Sequence, residues 1–237
     1  MPAPFEWTDF DAVLFDLDGV ITPTAEIHER AWSELFADHA ATAEDYLTYI
    51  DGKPRYDGVA SFLASRGVEL PWGDPSDAPG DDTVCALGNK KNEIFNEILA
   101  RDPLAAYPGS VAVLDHLDAA GTPQAIVSSS KNARPVLTAA GMGTRFEVIV
   151  DGVRAAEEGL AGKPAPTTYL RGAELLDVDP ARTVVVEDAS SGVAAGVAGE
   201  FGFVLGVDRG GNAEALAAAG AHLVVADLAE TLEDTSR

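Results

Sequence analysis

Six short apolar runs punctuate the two ends of the chain, at residues 12–15, 124–127, 147–150, 183–186, 203–206 and 223–225. Each is rich in Val, Ile or Leu and shows little polar alternation, as strands buried on both faces of a parallel sheet do. Between them, the Ala- and Leu-rich stretches 110–120, 133–140, 166–176, 192–198 and 213–219 predict helices. Alternating strands and helices of this kind predict an α/β fold with a doubly wound, Rossmann-like parallel sheet.

One interval breaks the alternation. More than a hundred residues separate the first two apolar runs, far beyond an ordinary crossover. Helical periodicity appears there at residues 27–37, 56–66 and 91–101, with an ambiguous strand at 46–50 and a Gly-, Pro- and Asp-rich surface excursion at 67–82. The expected organisation is therefore a core of residues 1–24 and 106–237, interrupted by a helical insert at 25–105.

Composition narrows the setting. Of 237 residues, 39 are Asp or Glu and 16 are Lys or Arg, for a formal charge of −23. So acidic a chain repels nucleic-acid backbones, so no nucleic-acid partner is expected. A single cysteine, Cys85, excludes an internal disulfide, and no apolar run reaches the length of a membrane span. The N-terminus lacks the basic and apolar regions of a signal peptide. These features lead to the expectation of a cytoplasmic monomer with no membrane partner.

In open α/β sheets, ligands collect beyond the carboxyl ends of the strands. At those places the sequence has Asp16-Leu17-Asp18-Gly19, Ser128-Ser129-Ser130-Lys131-Asn132 and Glu187-Asp188, and Lys163 lies in a Gly-Lys-Pro turn. Several carboxylates brought together require a hard cation, and oxygen-only ligands suit Mg²⁺. With phosphorus as the target, a carboxylate such as Asp16 serves as a nucleophile once placed in line and neutralised. Asp18, two residues on, falls on the same side of an extended backbone and is the candidate acid/base. Ser128 with the neighbouring amides would cradle phosphoryl oxygens, and Lys163 would balance residual charge.

Each element has a plainer alternative. Asp-x-Asp-Gly alone reads as a turn, residues 128–132 as a loop with a helix cap, Lys163 as a solvated lysine, and Glu187-Asp188 as the acidic start of a helix. The co-occurrence of all four at strand ends or an equivalent turn favours the catalytic reading.

The stretches Phe15-Asp16-Leu17-Asp18-Gly19-Val20-Ile21, Val127-Ser128-Ser129-Ser130-Lys131-Asn132, Gly162-Lys163-Pro164-Ala165-Pro166 and Val186-Glu187-Asp188-Ala189-Ser190-Ser191-Gly192 resemble the four motifs of the haloacid dehalogenase-like superfamily. More narrowly, they resemble its β-phosphoglucomutase-like family. The resemblance spans nearly the whole chain and implies that the insert is that family's helical cap. It implies Asp16 as the residue that becomes an aspartyl-phosphate and Asp18 as acid/base with its carbonyl on Mg²⁺. Glu187 and Asp188 would complete the metal site, and Ser128 and Lys163 would bind the transferred phosphate.

In the insert, Thr24-Ala25-Glu26-Ile27-His28 with Trp32, Gly52-Lys53-Pro54-Arg55 and Asn89-Lys90-Lys91-Asn92 resemble the mutase-type cap. There the resemblance implies that Arg55 and Lys91 engage a sugar phosphate and that His28 couples the cap to Asp18. The plainer reading of Lys90 and Lys91 is the start of a solvated helix. The implied reaction is the interconversion of β-glucose 1-phosphate and glucose 6-phosphate through the 1,6-bisphosphate. The alternatives are a phosphatase of small phosphomonoesters and, more remotely, a non-catalytic phosphate- or metal-binding module. Pro23 departs from the family pattern, where an Asp is common, and fixes φ at the point where the insert begins.

Overall fold

A computed structural model describes residues 5–39, 41–51 and 53–232. In chain order its principal elements are β1 (Ala12–Phe15), α1 (Thr24–Leu35), α2 (Arg55–Ser65), α3 (Val84–Arg101), α4 (Pro108–Ala120) and β2 (Gln124–Val127). There follow α5 (Ala133–Ala139), β3 (Val148–Val150), α6 (Gly152–Glu158), α7 (Thr167–Leu176), β4 (Thr183–Glu187), α8 (Ser190–Ala198), β5 (Phe203–Val207), α9 (Ala213–Ala219) and β6 (Leu223–Val225). The chain divides into two compact units, Met1–Pro23 with Ala105–Arg237, and Thr24–Leu104.

In the first unit the six strands form one parallel sheet in the order β3-β2-β1-β4-β5-β6. This is the doubly wound arrangement expected from the apolar runs. Strand order reverses between β1 and β4, where Phe15 pairs with Val186. Residues 16 and 187 therefore emerge side by side at the carboxyl edge, the place such sheets use for ligands. Leu14, Val127, Val185 and Val204 are fully buried and pack with Tyr169, Ala173 and Val193 from the helices.

The second unit is helical. Trp32, Phe36, Ile50, Val59, Phe62, Leu63, Val84 and Leu87 form its core, with Phe36 and Phe62 stacked at 4.1 Å between centroids. The ambiguous strand at 46–50 is instead a π-helical turn, Tyr46–Ile50, entered from a short helix whose capping box joins Thr42 and Asp45. Tyr46, Tyr49 and Ile50, at i, i+3 and i+4, face the aromatic core while Leu47 points to solvent, a pattern only a helix can produce. α3 begins two turns earlier than its periodicity suggested. The Thr83 side chain accepts from Ala86 N at 3.0 Å and starts the helix ahead of the polar Gly-Asn-Lys-Lys-Asn stretch. Among the described residues no helix is long and apolar enough to cross a membrane.

Phe62 is fully buried against Phe36. Phe62→Ala should lower stability by about 3–5 kcal/mol, whereas Leu47→Ser, on an exposed side chain, should change it by less than about 0.5 kcal/mol. Urea denaturation measures both, and equal effects would contradict this packing.

Candidate active site

β1 ends at Phe15, and the next residue, Asp16, continues the ladder by donating its N–H to Val186 O at 2.9 Å. Its carboxylate is buried. From the turn before α7, Lys163 reaches this edge and donates to Asp16 Oδ1 at 2.5 Å, Glu187 Oε1 at 2.5 Å and Val127 O at 3.1 Å. The lysine is 5% exposed, so the solvated alternative for it does not hold. Tyr169, on α7, donates its hydroxyl to the same Glu187 Oε1 at 2.8 Å and places its ring 4.9 Å from the Lys163 ammonium.

Glu187 does not cap α8 in the usual way. Its Oε2 folds back to accept from Asp188 N and Ala189 N, both at 3.1 Å, while Ala189 occupies the N-cap. Gly192 makes this possible, because a Cβ there would overlap the Glu187 carboxylate. Gly19 plays the equivalent part for Asp188. At φ +89° it lies against that carboxylate, and a side chain would collide with it.

One carboxylate oxygen each from Asp16, Glu187 and Asp188 lie within 4.8 Å of one another. Asp18 is turned toward β2, where its Oδ2 accepts from Ser128 Oγ at 3.2 Å. Ser128 Oγ in turn accepts from Ser130 N at 3.0 Å, and Ser130 Oγ accepts from Asn132 N at 3.1 Å, folding residues 128–132 into a compact loop. Asn132 is buried at the start of α5, and Ser129 and Lys131 are half-buried beside Gly152. All the core residues expected from the sequence thus lie at carboxyl ends of β1, β2 and β4 or in the turn before α7.

Burial pushes the Asp16 carboxyl well above the usual carboxylate range, with Glu187 and Asp18 adding to the rise and Lys163 opposing it. Burial also works against charge on Lys163, but Asp16 and Glu187 together hold its ammonium above the ordinary lysine value. Burial, reinforced by Glu187 and Asp16, keeps the Tyr169 hydroxyl protonated as a donor. One ammonium thus serves four nearby carboxyl groups. The all-oxygen donor set and its surplus of negative charge fit a hard divalent cation, which would reverse the tendency of Asp16 to hold a proton.

In the second unit, Thr24, His28 and Trp32 follow at i, i+4 and i+8 along α1. His28 stacks on Phe95 of α3 at 4.2 Å, and its Nδ1 meets Lys91 Nζ. Lys91 is 3% exposed and lies 5.1 Å and 4.9 Å from the Trp32 and Phe95 ring centroids, which removes the solvated-helix reading for it. Lys90 follows that reading and pairs with Asp81 at 2.8 Å on the surface. Arg55 opens α2 and donates Nη2 to Asn92 Oδ1 at 2.7 Å, a neutral partner, and no acid pairs with it among the described residues. Gly52 lies outside the described residues.

Tyr169 was not singled out by the sequence. The signal for it is a tyrosine on the buried stripe Tyr169–Gly172–Ala173, where a hydroxyl must find an acceptor. Removing the shared cation tests the cluster. Lys163→Met leaves two buried carboxylates uncompensated and should cost about 3–5 kcal/mol at pH 8 in the presence of a chelator. The folded-state pKa of Asp16, already raised by burial, rises further once Lys163 no longer opposes it, so the folded variant holds a proton that the unfolded chain releases near pH 4. The deficit relative to the parent should therefore grow from pH 5 to pH 8. A deficit constant with pH, in urea titrations, would contradict the arrangement.

The profile of the haloacid dehalogenase-like hydrolase family matches residues 10–199. The chain is 47% identical to a β-phosphoglucomutase of Mycobacterium tuberculosis over 93% of its own length and 91% of that protein. It is 35% identical to hexitol phosphatase A of Escherichia coli, covering 78% of this chain and 77% of the other. Among solved structures, a β-phosphoglucomutase from Clostridium difficile superposes with a TM-score of 0.77 at 26% identity, covering 93% and 92% of the two chains. With the motif residues gathered at the switch point of the sheet, these matches show that the chain belongs to the haloacid dehalogenase-like hydrolase family, in its β-phosphoglucomutase-like branch, and is an enzyme of phosphoryl transfer or phosphate-ester hydrolysis.

Proposed function

We propose that this enzyme is a Mg²⁺-dependent β-phosphoglucomutase, interconverting β-glucose 1-phosphate and glucose 6-phosphate through the 1,6-bisphosphate. The observation that carries the proposal is the 47% identity over nearly the full length of both chains, helical unit included. In this reading Thr24–Leu104 is the substrate cap, and Thr24, His28, Trp32, Gly52, Arg55 and Lys91 are its residues assigned to the substrate.

Asp16 is the nucleophile. Lys163 engages Oδ1, which leaves Oδ2 as the attacking atom. The bond from this oxygen to phosphorus forms as the phosphorus–sugar oxygen bond breaks, and Asp18 delivers a proton to the departing oxygen. In the return step Asp18 removes the proton from the sugar hydroxyl that takes the phosphoryl group back. Ser128, Ser129, Ser130, Lys131 and Asn132 line the phosphate cradle, and Lys163 offsets charge on its oxygens. Asp16, Glu187, Asp188 and the Asp18 carbonyl would hold Mg²⁺, which when bound supplies neutralisation of the carboxylate and phosphoryl oxygens. A bisphosphate also needs a place for the phosphate not being transferred, and the Arg55 guanidinium, whose partners Asn92 and Tyr56 are both uncharged side chains, suits it.

A second reading is a sugar-phosphate phosphatase, favoured by the 35% identity to hexitol phosphatase A, with water taking the place of the acceptor hydroxyl. Supplying β-glucose 1-phosphate, Mg²⁺ and catalytic bisphosphate distinguishes them. Accumulation of glucose 6-phosphate is expected, and stoichiometric inorganic phosphate would establish the phosphatase instead. Asp16→Asn should abolish product formation with every substrate. Arg55→Ala should lower mutase kcat/KM by about 10- to 100-fold, the worth of a charge-assisted contact, while aryl-phosphate cleavage changes by less than about 3-fold. Equal losses in the two assays would remove Arg55 from the second phosphate site.

A further inference from the structure

The loop after β5 carries none of the four motifs, and the family match ends before it, at residue 199. It is nonetheless a rigid turn. Asp208 donates its N–H to Val225 O at 2.8 Å, and its Oδ1 accepts from Gly211 N at 2.6 Å and Asn212 N at 2.9 Å.

Two side chains leave this turn for the catalytic loops. Arg209 donates Nε to Gly19 O at 2.8 Å and Nη1 to Ala226 O at 3.2 Å, with its guanidinium carbon 3.8 Å from the centroid of the Tyr107 ring. Asn212 donates Nδ2 to Asp188 O at 2.8 Å. Only the amide nitrogen can donate to a carbonyl, so the orientation of Asn212 is fixed. The two residues they hold, Gly19 and Asp188, are themselves in contact, since a Cβ on Gly19 would strike the Asp188 carboxylate. One turn therefore grips both sides of the acidic cluster.

The grip is retained at a cost. Arg209 Nη2 and Asn212 Oδ1 are buried with no hydrogen-bond partner among the described residues. Apolar side chains of similar shape would fill this space but would leave Gly19 O and Asp188 O without these donors. Packing alone does not account for the pair.

We propose that Arg209 and Asn212 are positioning residues of the cation centre: they set the spacing between the Asp16–Gly19 loop and Asp188, and thereby the affinity of the site for a divalent cation. This rests on the cation reading of the acidic cluster. Direct binding of Mn²⁺, followed through the electron paramagnetic resonance signal of the free ion, tests it without reference to turnover. Outer-shell partners of metal ligands typically govern affinity by about 10- to 100-fold, so Asn212→Ala should weaken Mn²⁺ binding by about 10-fold. Arg209→Lys keeps the charge but loses the planar fork and should weaken it in the same direction. Should Asn212→Ala prove too unstable to assay, Asn212→Ser reads the same contact. If the parent protein binds no Mn²⁺, the cation reading itself fails. If the parent binds and the variants bind equally tightly while their urea midpoints fall, the two residues are structural only and the proposal is overturned.

Discussion

A single buried ammonium organises the carboxyl edge of the sheet. Lys163 sits between Asp16 and Glu187, the residues that follow or end two adjacent parallel strands, at 2.5 Å from each. Without it, the switch point would bring together the Asp16 and Glu187 carboxylates with no cation among the described residues in contact to offset their mutual repulsion. With it, charge is balanced only in part, and this partial balance is chemically useful. The cluster retains an affinity for further positive charge while Lys163 keeps the two side chains in register. Tyr169 and the two amides on Glu187 complete the anchoring, so Glu187 is fixed by four donors. Asp16, engaged by Lys163 alone among these donors, is the less constrained member.

The loop that leaves Asp16 is held with similar care. After Asp18 the successive carbonyls of Gly19, Val20 and Ile21 accept from Arg209 Nε, Ser110 Oγ at 2.6 Å and Tyr107 N at 2.9 Å, respectively. Leu17 O accepts from both Ile21 N and Thr22 N at 3.0 Å, closing the turn on itself. The carbonyls of Leu17, Gly19, Val20 and Ile21 thus each have a defined partner, and for the last three those partners come from α4, the residue before it and the loop after β5. The orientation of Asp18 is in this sense a property of the whole first unit. A rigid frame of this kind suits the acid/base role proposed for Asp18, which requires meeting a docked hydroxyl in one geometry.

Much of this was legible in the residues because two physical signals coincide. Strands of a parallel sheet are nearly continuously apolar, even at β6 where Leu223 is exposed, so all six could be found from the pattern of apolar runs, and the chemistry was expected where they end. Helices with a buried stripe were found for the same reason. α6 was not, because none of its residues is buried and it has no stripe to read; only its Asp151 cap and Gly159 stop mark it. The turn at Tyr46–Ile50 is short and apolar enough to resemble a strand, and its true period shows only against the aromatic core it covers. Arg209 and Asn212 act through backbone carbonyls far away in sequence, and carbonyls are identical at every position, so no residue pattern announces such contacts. The motif residues are visible in the sequence because they carry chemistry; the residues that hold them in place are visible only in three dimensions.

Net charge puts a further constraint on how such an enzyme meets an anion. At −23, the chain as a whole repels phosphate, and screening confines that repulsion to about 8–10 Å at physiological salt. Attraction must then come from cations whose charge is not already spent on a carboxylate. Arg66, Arg145, Arg171 and Arg182 are paired with acids on the surface and contribute little of this kind. Arg55 differs in having an asparagine as its partner, and burial lowers its pKa from the ordinary arginine value without removing its charge. Lys163 is outnumbered by the acids around it and cannot attract an anion unaided. On the proposed reading, phosphate in the first unit would be received beside a bound cation, and in the second by the Arg55 guanidinium. Two phosphate-binding places built on different physics would not be interchangeable, which is the asymmetry that transfer at one end of a bisphosphate and retention at the other requires.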